Sequence, residues 1–100
     1  MISIIIPTYN EEKYIGDTLY RLKTLTLDHE IIATDDKSTD NTVTIAKTFT
    51  HNVLIPSSKH VTIGANRNAG VKASQGDYLV FIDSSCYIVN PDNFFKRASA

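Results

Sequence analysis

Short apolar runs rich in β-branched residues alternate with longer polar stretches along this chain. Residues 2–6 (Ile-Ser-Ile-Ile-Ile) form the first run, which Pro7 ends, and they predict a strand. Ile15, Leu19 and Leu22 then recur at helical spacing and predict a helix from residue 11 to about 25. Asn10 stands where an N-cap would, with Glu11 and Glu12 in the first turn, where the helix dipole favours acids. A second strand is expected over 30–34, around Ile31, Ile32 and Ala33, followed by a helix capped by Ser38 and running to about 49. A short third strand over 53–55 ends at Pro56, and a loop spans 57–62. The next helix, 63–74, carries Gly64 and Gly70, which lower its intrinsic stability. Gln75-Gly76-Asp77 stops it, and residues 78–82 are the fourth strand. Asn90-Pro91 opens a last helix, with proline at its first position.

The order is βαβαβαβ. Strands that read as continuous apolar runs between helices indicate a parallel sheet covered on both faces. The expected fold class is therefore α/β: a Rossmann-like, mainly parallel four-stranded sheet with helices on both faces.

Composition narrows the partners more than the fold. The 100 residues suffice for one domain, and 42% hydrophobic and 21% charged residues are ordinary for a globular chain. A net charge of -1, with no basic run, argues against nucleic acid as the main partner. The lone Cys86 forms no internal disulfide and is read as a small buried or half-buried residue. His29, His51 and His60 lie far apart, without metal-ligand spacing. The N-terminus lacks the basic start of a signal peptide, and no stretch is long enough to span a bilayer. A cytoplasmic location is the expectation, with membrane association left to segments beyond residue 100.

Open parallel sheets bind ligands beyond the carboxyl ends of their strands. Pro7, Thr8, Tyr9, Asn10 and Glu11 follow the first strand, Asp35 and Asp36 the second, and Asp83 the fourth. Glu11, Asp35, Asp36 and Asp83 would thus gather at one edge, where like charges cost energy unless a cation or a donor-rich ligand offsets them. Singly, each has a structural reading. Asp35-Asp36 suits a capped turn, Tyr9 a half-buried packing position, and Asp83 a strand cap. Rival motifs are absent. There is no Gly-x-Gly-x-x-Gly turn, no Gly-x-x-x-x-Gly-Lys-Ser/Thr loop and no Gly-x-Ser-x-Gly elbow. A generic flavodoxin-like binding domain would explain the alternation but not the clustered motifs.

Three segments together resemble a known family. Residues 4–11 (Ile-Ile-Ile-Pro-Thr-Tyr-Asn-Glu), 34–42 (Thr-Asp-Asp-Lys-Ser-Thr-Asp-Asn-Thr), and the pair 64–70 (Gly-Ala-Asn-Arg-Asn-Ala-Gly) with 76–83 (Gly-Asp-Tyr-Leu-Val-Phe-Ile-Asp) are similar to the opening of family 2 glycosyltransferases with the GT-A fold. The resemblance covers nearly the whole chain. It implies that residues 1–100 are the nucleotide-diphosphate-sugar-binding part of a GT-A domain, cut short at its C-terminus. In that reading the segment 7–11, with Pro7, Thr8, Tyr9 and Glu11, and Asp35 hold the base and ribose, and Asp36 belongs to the same nucleotide-sugar-binding set. Tyr9 lies against the base, and Asp35 accepts the imide N–H of uracil. Arg67 reaches base or phosphate oxygens. Asp83 begins an Asp-x-Asp motif that holds Mg²⁺ or Mn²⁺ against the diphosphate. The whole protein would transfer the sugar of a UDP-sugar or similar donor to a glycan or lipid hydroxyl, with inversion.

Two departures qualify that expectation. Ser85 occupies the place of the motif's second aspartate, and a hydroxyl is a weak ligand for a hard divalent ion. A nucleotide-sugar-binding module without catalysis is therefore the alternative. The general base is expected beyond residue 100, and a sheet edge left uncovered there invites pairing with a second copy of the chain.

Overall fold

The computed structural model describes residues 1–56 and 63–84, with the backbone alone at 63–66. The expected loop at 57–62, the helix opening at Asn90-Pro91, and the positions of His60, Ser85 and Cys86 lie outside the described residues. Seven elements follow in the expected order: β1 (Ile2–Thr8), α1 (Ile15–Lys23), β2 (His29–Asp35), α2 (Thr42–Lys47), β3 (Asn52–Leu54), α3 (Ile63–Ala73) and β4 (Tyr78–Phe81).

The strands form one parallel sheet in the order β3-β2-β1-β4. Ile4, Ile5 and Ile6 are all fully buried, so β1 is covered on both faces, as its unbroken apolar run requires. Side chains alternate across the sheet. Ile2, Ile4, Ile6, Ile31, Ala33 and Ile82 meet Ile15, Leu19 and Leu22 of α1 and Ala46 of α2 in one core. Ile5 and Thr34 face the other way, against α3. A Cβ added to Gly70 would collide with the Ile5 side chain and stand 3.3 Å from Thr34 Cγ2, so the helix approaches the sheet more closely than a side chain there would allow.

This order sets the location of the crevice. The chain steps from β1 to β2 to β3 in one direction and then returns past β1 to β4. The reversal puts α1 and α2 on one face and α3 on the other, as right-handed crossovers require. Loops leaving β1 and β4 at the carboxyl edge therefore diverge, and such a switch point opens a crevice between them.

The opposite edge is stapled shut. The Ser3 hydroxyl donates to Glu30 Oε2 (2.5 Å) and accepts the Gly76 amide (2.8 Å). The Gln75 amide donates to the same carboxylate oxygen at 2.6 Å. The Asp77 amide donates to the Met1 carbonyl at 2.8 Å. These bonds seat the α3–β4 turn beneath β1.

Two helix starts differ from the sequence reading. Asn10 does not cap α1; it has a φ of 50°, and the helix begins at Ile15. Ser38 does not cap α2, which begins at Thr42. In both cases the polar side chain is used across the two loops instead of along its own helix. Short polar side chains are suited to such competing bonds. Strand ends moved by one or two residues: β1 extends to Thr8, β2 to Asp35, and β3 is shifted to Asn52–Leu54. β4 is an edge of the described sheet and carries exposed Tyr78, Leu79 and Phe81.

Gly76 tests the staple. A Cβ there would lie 2.5 Å from Ser3 Oγ and 2.7 Å from the Met1 carbonyl oxygen. Gly76→Ala is expected to destabilise the fold by about 1–3 kcal/mol through overpacking, read as a lowered midpoint in chemical denaturation.

Candidate functional site at the carboxyl edge

Thr8 and Asp35 end β1 and β2 as direct partners in the parallel register. The Asp35 carboxylate is buried, at 1% exposure, and accepts three hydrogen bonds. Thr8 Oγ1 donates to Oδ1 at 2.7 Å, Ser38 Oγ to Oδ1 at 2.6 Å, and the Ser38 amide to Oδ2 at 2.7 Å. A carboxylate has about four acceptor sites, so three are already taken by the protein.

The network runs outward from there. The Asn10 amide donates to Ser38 Oγ at 2.8 Å, and Asn10 Oδ1 accepts the Thr39 amide at 2.8 Å. The Glu11 amide donates to Thr42 Oγ1 at 2.9 Å. The Glu12 amide donates to Asp40 Oδ2 at 3.3 Å, and the Asn41 amide to Glu12 Oε2 at 3.2 Å. The Asp36 amide extends the ladder to the Thr8 carbonyl at 2.9 Å. Asn10 and Lys37 both take left-handed backbone conformations within these turns, which Asn tolerates well and Lys less so. The loops leaving β1 and β2 thus form one cross-linked rim.

Asp40 belongs to that rim. Desolvation pushes its carboxyl up, but hydrogen bonds from the Thr42 hydroxyl and amide, and from the amides of Glu12 and Asp40, outweigh it and hold the group below the usual 3.8. Its Oδ1 accepts the Thr42 amide at 3.0 Å and also the Thr42 hydroxyl. Asp40 therefore supplies the start of α2 with the side-chain acceptor that Ser38 was expected to provide.

The named residues sort into two kinds. Thr8 and Asp35 are buried and bonded to one another. Tyr9 is 55% exposed at the rim, while Pro7, Glu11 and Asp36 are half-buried. Asp83 is exposed just past β4, whose ladder closes with the Ile82 amide donating to the Ile5 carbonyl at 3.1 Å. Arg67 lies on the opposite face from α1. Its guanidinium carbon stands 5.4 Å from the centroid of the Phe81 ring, within range of a cation–π contact. Gly70 lies against Ile5, and Gly76 lies under Ser3. α3 therefore descends from the carboxyl edge, and Arg67 sits a turn nearer that edge than Gly70.

The ends of β1, β2 and β4 thus meet at one edge, with the exposed side chains of Tyr9 and Asp83 and the half-buried Asp36 there. Asn10 and Ser38, which sequence spacing alone assigned to helix caps, are structural partners instead, and Thr42 joins them. Their polarity was visible, but the bonds from Asn10 to Ser38 and Thr39, and from Glu11 to Thr42, join residues about thirty apart in sequence. Of the histidines, His29 Nδ1 lies 2.7 Å from the Leu27 carbonyl oxygen, and His51 is exposed away from this edge, beside β3.

The donor set at this edge also bears on a metal. No group of three or more His, Cys, Asp or Glu side chains suited to a metal occurs among the described residues. Mg²⁺ bound with a phosphorylated ligand commonly takes only one or two protein carboxylates, the rest being phosphate and water oxygens. Asp83 alone fits that minimal arrangement.

Comparison with known proteins gives the edge a context. The model for "Glycosyl transferase family 2" matches residues 3–94. The chain is 40% identical over 95 residues to a poly(ribitol-phosphate) beta-glucosyltransferase of Bacillus spizizenii, covering 87% of this chain and 15% of that protein. Among solved structures, Staphylococcus aureus TarS 1–349 in complex with UDP superimposes with a TM-score of 0.84 at 31% identity, over 98% of this chain and 31% of that one. Glucosyl-3-phosphoglycerate synthase from Mycobacterium tuberculosis, in complex with Mn²⁺, UDP and glucosyl-3-phosphoglycerate, gives 0.75 at 29% identity, over 91% and 36%. The chain therefore spans between about a seventh and about a third of the length of these proteins. Among the described residues, no helix is long and apolar enough to cross a membrane.

Burial separates the two adjacent aspartates by what they support. Asp35→Asn is expected to cost about 2–3 kcal/mol in denaturant, because its NH2 replaces one acceptor oxygen and sets a donor against a Ser38 donor. Asp36→Asn should stay within about 0.5 kcal/mol of the parent.

Proposed function

The chain belongs to glycosyl transferase family 2, and from that membership we propose that it is the nucleotide-sugar-binding part of an inverting glycosyltransferase. In this reading residues 1–100 hold the donor. The larger protein moves the sugar to a hydroxyl of a glycan or lipid acceptor. The observation that carries the proposal is that β1, β2 and β4 all end at the sheet's carboxyl edge, where the loops after β1 and β2 are cross-linked beside the switch point between β1 and β4. UDP is the favoured nucleotide, because TarS and the synthase named above bind it.

Each group at this edge has a role that its chemistry supports. Tyr9 offers an aromatic face for the base. Asp35 is engaged by Thr8 and Ser38, so Asp36 is the carboxylate better placed to accept a base N–H, with Asp35 fixing the turn that presents it. Pro7 and Glu11 flank the ribose side of the rim. Arg67 contributes positive charge from the face of α3. Asp83 would hold Mg²⁺ or Mn²⁺ with the donor diphosphate. Such an ion, when bound, neutralises charge developing on the departing nucleoside diphosphate. The group that takes the acceptor's proton is expected beyond residue 100.

Ser85 favours a second reading, a module that binds the nucleotide sugar without catalysing transfer. One experiment addresses both readings. Calorimetric titration with UDP should show binding that weakens about tenfold in Tyr9→Ala, from lost stacking, and comparably in Asp36→Asn. Titration with no heat, or variants that bind as the parent does, would remove the donor-site reading. If Mn²⁺ strengthens UDP binding only in Ser85→Asp, the non-catalytic module is favoured. If it does so in the parent, Asp83 suffices.

A further inference from the structure

Thr18 is buried in α1, on the face that meets the sheet. A threonine within a helix commonly returns its hydroxyl to the preceding turn of its own backbone. Here Thr18 Oγ1 donates to the carbonyl oxygen of Ser84, 2.7 Å away and 66 residues along the chain. Ser84 is itself buried at 1% exposure, and its hydroxyl has no hydrogen-bond partner among the described residues. The Thr18 bond to its backbone thus anchors a residue whose own hydroxyl has no hydrogen-bond partner among the described residues.

On the other side, Ile82 is buried in the α1 core and its amide reaches the Ile5 carbonyl at 3.1 Å. Asp83 therefore projects outward between two anchored, buried neighbours. Both anchors tie the end of β4 to elements formed early in the sequence: Ile5 in β1 and Thr18 in α1.

We propose that Thr18 is a positioning residue for the donor diphosphate, its hydroxyl fixing the Asp83–Ser84 turn and with it the place of the Asp83 carboxylate. The role rests on the donor-site reading given above. Ser85 stands where a second carboxylate would share the task, so a displaced Asp83 has no neighbouring acid to compensate for it. A buried carbonyl that loses its donor also drives the turn to rearrange toward another partner or water.

Three variants of the whole chain test this. Thr18→Val keeps the shape and removes the donor, Thr18→Ser keeps the donor, and Thr18→Ala replaces Thr18→Val if the latter does not fold. In the ligand-free chain, the Asp83 and Ser84 amide resonances should move in Thr18→Val and remain near the parent in Thr18→Ser. UDP affinity with Mn²⁺ present should fall about tenfold in Thr18→Val and stay within about twofold in Thr18→Ser. In an Asp83→Asn background, Thr18→Val should cost nothing further. Unmoved Asp83 and Ser84 amides, equal losses in the valine and serine variants, or a full additional loss beside Asp83→Asn would each overturn the role of Thr18 while leaving the donor site standing. A parent chain without UDP affinity would overturn the site and the positioning role together.

Discussion

A carboxylate withdrawn from water must find donors, and Asp35 finds them on two elements at once. Thr8 reaches it from the end of β1, and Ser38 from the turn that leaves β2. Ser38 in turn receives the Asn10 amide, so the chain leaving β1 is tied back to the chain leaving β2. The rim built from these bonds depends on that buried acceptor. Without it, the Thr8 and Ser38 hydroxyls would face one another with no common partner, and the two turns would lose the link that sets their spacing.

The same arrangement separates buried, internally bonded carboxylates from surface ones among neighbouring residues of the same type. Asp35 accepts three hydrogen bonds from within the protein. Asp40 is engaged at the start of α2, where hydrogen bonds keep its carboxyl below the ordinary range. Asp36 and Asp83 stand nearer the surface, on either side of β1. A site whose polar loops are already satisfied needs little reorganisation when a ligand arrives, which favours binding by preorganisation. At the far edge, Ser3, Glu30 and Gly76 close the sheet from below, so the two ends differ in kind: one is tied shut within the protein, and the other is tied open around a rim.

Much of this was legible in the sequence. The unbroken Ile4-Ile5-Ile6 run marked a strand covered on both faces, and the α1 face followed from Ile15, Leu19 and Leu22. The motifs after β1, β2 and β4 located the edge, because parallel strands place all such turns on one side. Local pattern could not distinguish an N-cap from a cross-loop bond. Asn10 and Ser38 are the right residue types in the right places for caps, and only the pairing of β1 with β2 gives them nearer partners. Nor could it tell which aspartate of the Asp35-Asp36 pair is buried, since that depends on the parity of the β2 register against Thr8. The Thr18–Ser84 bond carried no sequence signal at all, joining a helix interior to a strand end across most of the chain.

If a nucleotide lies on the edge formed by the ends of β1, β2 and β4, titration with UDP should leave its mark there in the amide chemical shifts. Perturbations should group at Tyr9, Asn10, Asp36 and Asp83, with Ser3, Glu30 and Gln75 at the far edge unmoved. Perturbations confined to that far edge, or scattered over unconnected surfaces while Tyr9 and Asp83 stay silent, would contradict that placement.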